Sequence, residues 1–110
     1  MIRLFGLSLC AALYLSACSA LAQQTTIEIS IKNHRFEPSE INVPAGEAVT
    51  LRVKNLDATP EEFESKALRI EKIIPGKSEG IIQLRAMQRG RYAFSGEFNE
   101  ATAQGVVVVK

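Results

Sequence analysis

The chain has 110 residues, with 13 Lys and Arg against 12 Asp and Glu, one histidine and two cysteines. That length suits one domain, and the near balance of charge leaves none of the basic excess that nucleic acid selects. Both cysteines, Cys10 and Cys18, lie in an apolar leader, so the polar remainder can form no disulfide of its own.

Met1-Ile2-Arg3 is a short positive start, Leu4 to Leu15 an apolar run, and Ala20-Leu21-Ala22 a small-residue close. This order reads as a secretory signal peptide over residues 1–22. The run is shorter than the ~20 residues that a membrane-spanning helix needs. Within it, Leu15-Ser16-Ala17-Cys18 resembles the lipobox of bacterial lipoproteins. Two processing routes follow. Cleavage after residue 17 would leave Cys18 as a lipid anchor, and cleavage after Ala22 would leave a soluble domain. Removal of residues 1–22 leaves 88 residues and takes away only one charge, Arg3, so 12 basic groups face 12 acidic ones.

Ile27, Ile29 and Ile31 alternate with polar residues and predict a half-buried strand. Phe36 and Pro38 read as a turn. Ile41 and Val43 form a second alternation that stops at Pro44, with Ala45-Gly46 as a turn. Val49, Leu51 and Val53 alternate most clearly of all. Asn55 to Pro60 reads as a loop, and Glu61-Glu62-Phe63-Glu64 as an acidic segment with one apolar anchor. Leu68 to Ile74 predicts a strand ending at Pro75-Gly76. Ile81, Ile82 and Leu84, then Tyr92 and Phe94, then Val106 to Lys110 complete the set, and Gly96 to Gln104 reads as a polar loop with a helical turn over Asn99–Ala103. Seven to eight short strands with turn signals every ~8–12 residues predict a sandwich of two antiparallel sheets.

Phe36-Glu37-Pro38, Val43-Pro44-Ala45-Gly46, Val49 to Asn55, Gly90-Arg91-Tyr92-Ala93-Phe94 and Gly105 to Val109 together resemble a cupredoxin. The resemblance implies an all-β, Greek-key cupredoxin-like sandwich over residues 26–110. Glu61-Glu62-Phe63-Glu64-Ser65, Gly96-Glu97-Phe98 and Thr102-Ala103-Gln104-Gly105 narrow it. They are similar to small periplasmic cupredoxins related to the first domain of the iron-uptake lipoprotein EfeO. That likeness implies a periplasmic protein handling iron or copper beside a ferrous-iron permease. An inner-membrane iron permease or a periplasmic iron-binding protein would be the partner. A binding role rather than an enzymatic one is expected, with assistance to Fe(II) oxidation or electron transfer left open.

The departures from that pattern bear on the chemistry. Blue-copper cupredoxins place a cysteine just after the Tyr-x-Phe strand, with histidine and methionine beyond, whereas Ser95 and Gly96 stand here and no methionine follows. A thiolate, two imidazoles and a weak axial ligand define that centre. The domain offers no thiolate and one imidazole, so no blue-copper centre is expected. The resemblance to these smaller cupredoxins implies histidines near Lys66 and at position 99 in many relatives, and this chain has none there.

Carboxylates remain. In an extended Glu61–Glu64, Glu62 and Glu64 share one side and Phe63 points to the other. In the resembling fold Glu97 lies at the same end, with Glu71 or Glu100 nearby. Glu62, Glu64 and Glu97 are therefore the candidate metal ligands, and their hard oxygens suit Mg, Ca, Mn and Fe better than Cu(I). His34 is a candidate for a second site. The same glutamates also suit a solvated surface, with Lys66, Arg69 and Lys72 available to neutralise them. In that case the sandwich would be an interaction module docking its acidic end on a permease or another envelope protein. No Ser-His-Asp set can be assembled from one histidine and one aspartate, Asp57.

Overall fold

Residues 24–110, described by a computed structural model, form nine strands because β-branched and apolar residues recur every second position. The expected signal peptide over residues 1–22, including Cys18, lies outside the described residues. The strands are β1 (Thr25–Lys32), β2 (Arg35–Glu37), β3 (Glu40–Val43), β4 (Val49–Asn55), β5 (Glu61–Ser65), β6 (Ile70–Ile74), β7 (Ser78–Leu84), β8 (Gly90–Gly96) and β9 (Gln104–Val109). A single 3-10 turn, Glu97–Asn99, joins β8 to β9.

One sheet has four strands in the order β2-β1-β4-β7, and the other has five in the order β3-β9-β8-β5-β6. The all-β sandwich expected from sequence is present, with corrections. Phe36 belongs to a short ninth strand, β2, rather than to a turn. Leu68 is buried in the β5–β6 turn, so that strand starts later, at Ile70. The helical turn begins at Glu97 rather than Asn99, although Asn99 still closes a turn by accepting the Ala103 N–H at 2.8 Å. Nor are the sheets purely antiparallel: β1 runs parallel to β4, and β3 parallel to β9. Hairpin partners must be antiparallel, but these pairs are not consecutive. Their connections cross between sheets, which frees the direction.

The inner faces interdigitate as the alternation requires. Ile29, Ile31, Val49, Leu51 and Val53 meet Phe63, Phe94, Val107 and Val109, all buried. At the centre, Phe63 and Phe94 stack at 4.7 Å, and Phe36 meets both edge-on at 5.9 and 5.0 Å.

The strands define two ends. At one, β4 stops at Asn55, β5 starts at Glu61 and β8 stops at Gly96. At the other, Thr25 pairs with Val49, and Val49 with Leu84. Asn55 organises the first end. Its buried amide donates to the Thr59 carbonyl at 2.8 Å and the Ile74 carbonyl at 3.1 Å, and accepts the Asp57 N–H at 3.1 Å.

Candidate metal centre

Alternation along β5 sorts its residues into two sets. Glu61, Phe63 and Ser65 are buried, while Glu62 and Glu64 are half-buried on the outer face. Across β6, Glu64 stands opposite Glu71, and Glu62 opposite Ile73. Glu97 opens the 3-10 turn that follows β8, and β8 pairs with β5 through Phe63–Gly96 and Glu64–Ser95. Thus β5, β6 and the turn after β8 bring Glu62, Glu64, Glu71 and Glu97 to one outer corner.

These acids feel one another. The Glu62 charge beside the exposed Glu97, with a smaller contribution from desolvation, pushes the Glu97 carboxyl above the usual carboxylate range. Glu64 is also pushed up, by desolvation first and then by the charges of Glu97 and Glu71. Lys66 offsets only part of the effect on Glu64. Lys72 turns away and donates to the Ile81 carbonyl at 3.0 Å. Even so, among the described residues no group of three or more His, Cys, Asp or Glu is arranged to hold a metal ion. Glu64 and Glu100 both line a groove of about 430 Å³ over Ala93 and Ser95.

His34 is not part of this corner. It occupies the β1–β2 turn with φ 57°, and its N–H donates to Asp57 Oδ2 at 2.9 Å. Its ring faces the same carboxylate at 3.7 Å, and its carbonyl accepts the Thr102 hydroxyl at 2.6 Å. The His34 and Asn33 N–H groups hold Asp57 below the usual range.

Two residues of this end were not candidates from sequence: Glu61 and Asn99. Glu61 is 1 % exposed. Its Oε1 accepts the N–H of Glu62 at 3.0 Å and of Phe98 at 2.9 Å, and its Oε2 accepts the Asn99 side-chain amide at 2.6 Å. The signal was present: the alternation that pairs Glu62 with Glu64 sends Glu61 inward with Phe63.

This geometry has relatives. The family model for the cupredoxin-like domain matches residues 6–109, so the chain belongs to the cupredoxin-like domain family. An uncharacterized protein of Rickettsia prowazekii (strain Madrid E) is 42% identical over 84 residues, covering 76% of this chain and 66% of that protein. The chain therefore spans just under two thirds of that relative's length. Among solved structures, auracyanin A, a "blue" copper protein of Chloroflexus aurantiacus, superposes with a TM-score of 0.68 at 20% identity. The match covers 79% of this chain and 99% of that one. The metal-binding domain of the Cu(I)-exporting ATPase CopA of Streptococcus pneumoniae D39, solved with Cu(I), superposes at 0.66 and 18% identity. It covers 77% of this chain and 84% of that one. At such identities these likenesses establish the fold alone.

The fold family implies copper, and the donor set here does not fit a copper–thiolate centre. Residue 96, just after the Tyr-x-Phe strand, is glycine. A Cβ there would lie 2.6 Å from the Glu61 carboxyl carbon and 2.7 Å from Ala103 Cβ. Glu61 thus fills the space in which a side chain at position 96 would stand. The only imidazole, His34, is engaged with Asp57.

Proposed function

We propose that this protein is an exported, periplasmic cation-handling cupredoxin-like protein, an accessory of ferrous-iron or copper-linked iron uptake. The cation binds at the outer corner of Glu62, Glu64 and Glu97, and the role is carriage rather than catalysis. The observation that carries this reading is the placing of Glu97 against Glu62 and Glu64, which raises two carboxyls above their ordinary range. A cation relieves that repulsion, and exposed side chains turn fast enough to close on it. Oxygen donors favour Fe(II) or Mn(II) over Cu(I). His34 serves at most as a separate site shared with Asp57. A partner permease or iron-binding protein would take the cation onward.

Titration of the protein with Fe(II), Mn(II) and Cu(II) tests this. Saturable binding at micromolar metal, an affinity of about −8 kcal/mol, is expected. Glu62→Ala/Glu64→Ala should abolish it. Binding should also weaken in acid, where protons compete for the same oxygens. No saturable binding at micromolar metal sinks the reading.

A second reading rests on Phe98 and Ile73. Both are about half exposed, beside Glu97 and opposite Glu62 respectively. An apolar pair among acids suits docking on a basic protein surface without metal. Metal-independent, salt-sensitive partner binding lost in Phe98→Ala would favour it.

A further inference from the structure

Glu61 is the only charged side chain buried among the described residues, and no Lys, Arg or His pairs with it there. A buried carboxylate is costly unless its oxygens are hydrogen-bonded. Here both oxygens are: three N–H donors reach them, and no buried polar side-chain atom of the described residues is left unpartnered. Two of those donors, the Phe98 N–H and the Asn99 amide, belong to the 3-10 turn whose first residue is Glu97. Apart from these donors, the turn is fixed at its exit and not at its start. It lacks a side-chain cap at Gly96 and buries none of its own residues. Its exit is closed by the Asn99 carbonyl, which accepts the N–H groups of Thr102 at 3.1 Å and Ala103 at 2.8 Å and, more distantly, the Thr102 hydroxyl, and by Gly96, which donates to the Ala103 carbonyl at 2.8 Å. Gly96 also leaves the room in which the Glu61 carboxylate stands.

We infer that Glu61 and Asn99 form a positioning pair. The buried Glu61 carboxylate clasps the Glu97–Asn99 turn to the start of β5 and so sets Glu97 against Glu62 and Glu64. The clasp itself stands on the hydrogen bonds. Its value for binding rests on the cation reading above.

The test follows the Glu97 carboxyl by NMR through a pH titration of the whole protein, in wild type, Glu61→Ala, Asn99→Ala and Glu61→Gln. Removing either partner frees the turn, so Glu97 should return toward the ordinary Glu midpoint of about 4.3 in Glu61→Ala and Asn99→Ala. Glu61→Gln should stay close to wild type. Its oxygen still accepts the two backbone N–H groups, and its amide can pair with the Asn99 oxygen once that side chain flips. This separates clasping from charge, because an effect of the Glu61 charge alone would move Glu97 in Glu61→Gln as far as in Glu61→Ala. If Glu61→Ala fails to fold, the Asn99→Ala and Glu61→Gln pair decides. A Glu97 titration unchanged in Asn99→Ala, or shifted equally in Glu61→Gln and Asn99→Ala, overturns the inference. Mn(II) titration of the same proteins should show about tenfold weaker binding in Asn99→Ala and little loss in Glu61→Gln. If wild type binds no Mn(II) but Glu97 follows the clasp, the cation reading falls and the clasp stands. If wild type binds Mn(II) and Glu97 ignores the clasp, the reverse holds.

Discussion

Three glutamates of β5 experience three environments. Glu61 points inward and accepts three hydrogen bonds, and Glu62 points outward beside Glu97. Glu64, two residues on, is crowded by Glu97 and Glu71. Composition alone calls this an acidic loop, whereas period two resolves it. Gly96 is the complement of Glu61: any Cβ at 96 meets that carboxylate. Gly96→Ala should therefore destabilise the fold by about 1–3 kcal/mol, the usual range for overpacking. Glu61→Ala should be costly too, yet the double variant should cost less than the two singles added. Urea denaturation of the four proteins measures that coupling, and strict additivity would mean that residue 96 and Glu61 do not compete for space.

At the level of the elements, the legible ones were those with clean alternation and a buried face. β4 buries Val49, Leu51 and Val53 as its pattern dictates, and β7 buries Ile82 and Leu84 likewise. β2 escaped because three residues, of which only Phe36 is buried, carry too little pattern to separate from a turn. The parallel pairings escaped because strand direction depends on which strands become neighbours, and no local pattern records that. Of the candidate site, Glu62, Glu64 and Glu97 were legible as neighbours at one end. Glu61 and Asn99 were missed because an acid in a polar stretch resembles a solvated one until its inward phase is followed. The Asn55–Pro60 connection is a further case. It looks like free loop, yet the buried Asn55 amide ties it to Thr59 and Ile74. Asn55→Ala should leave those groups unsatisfied and cost about 1–3 kcal/mol, with amides of residues 56–60 exchanging faster. Unchanged exchange there would show that the loop is held by other means.

Across the whole molecule, the carboxyls pull stability in opposite directions with pH. Glu64 and Glu97 are held above their ordinary values. The fold therefore disfavours their charged forms. That penalty is absent below the unfolded value of about 4.3 and complete once pH has risen past the folded values. Asp57 is held below its ordinary value. Its contribution is present above about 3.9 and is lost as pH falls through the folded value. Glu97→Gln should therefore raise the urea midpoint slightly at pH 7 and leave it unchanged near pH 4. An equal gain at both would place the effect outside the acid cluster.

The parallel pairing of β1 with β4 reaches beyond topology. It brings the polypeptide into the sandwich at Thr25, beside Val49, whereas Ile31 stands beside Asn55 at the acidic end. Six residues of extended chain separate the two, roughly 20 Å. Whatever precedes Thr25 leaves from the far floor of the domain. A lipid or protein tether attached there would act as a stalk. It would leave the acidic corner at the end of the sandwich opposite its attachment.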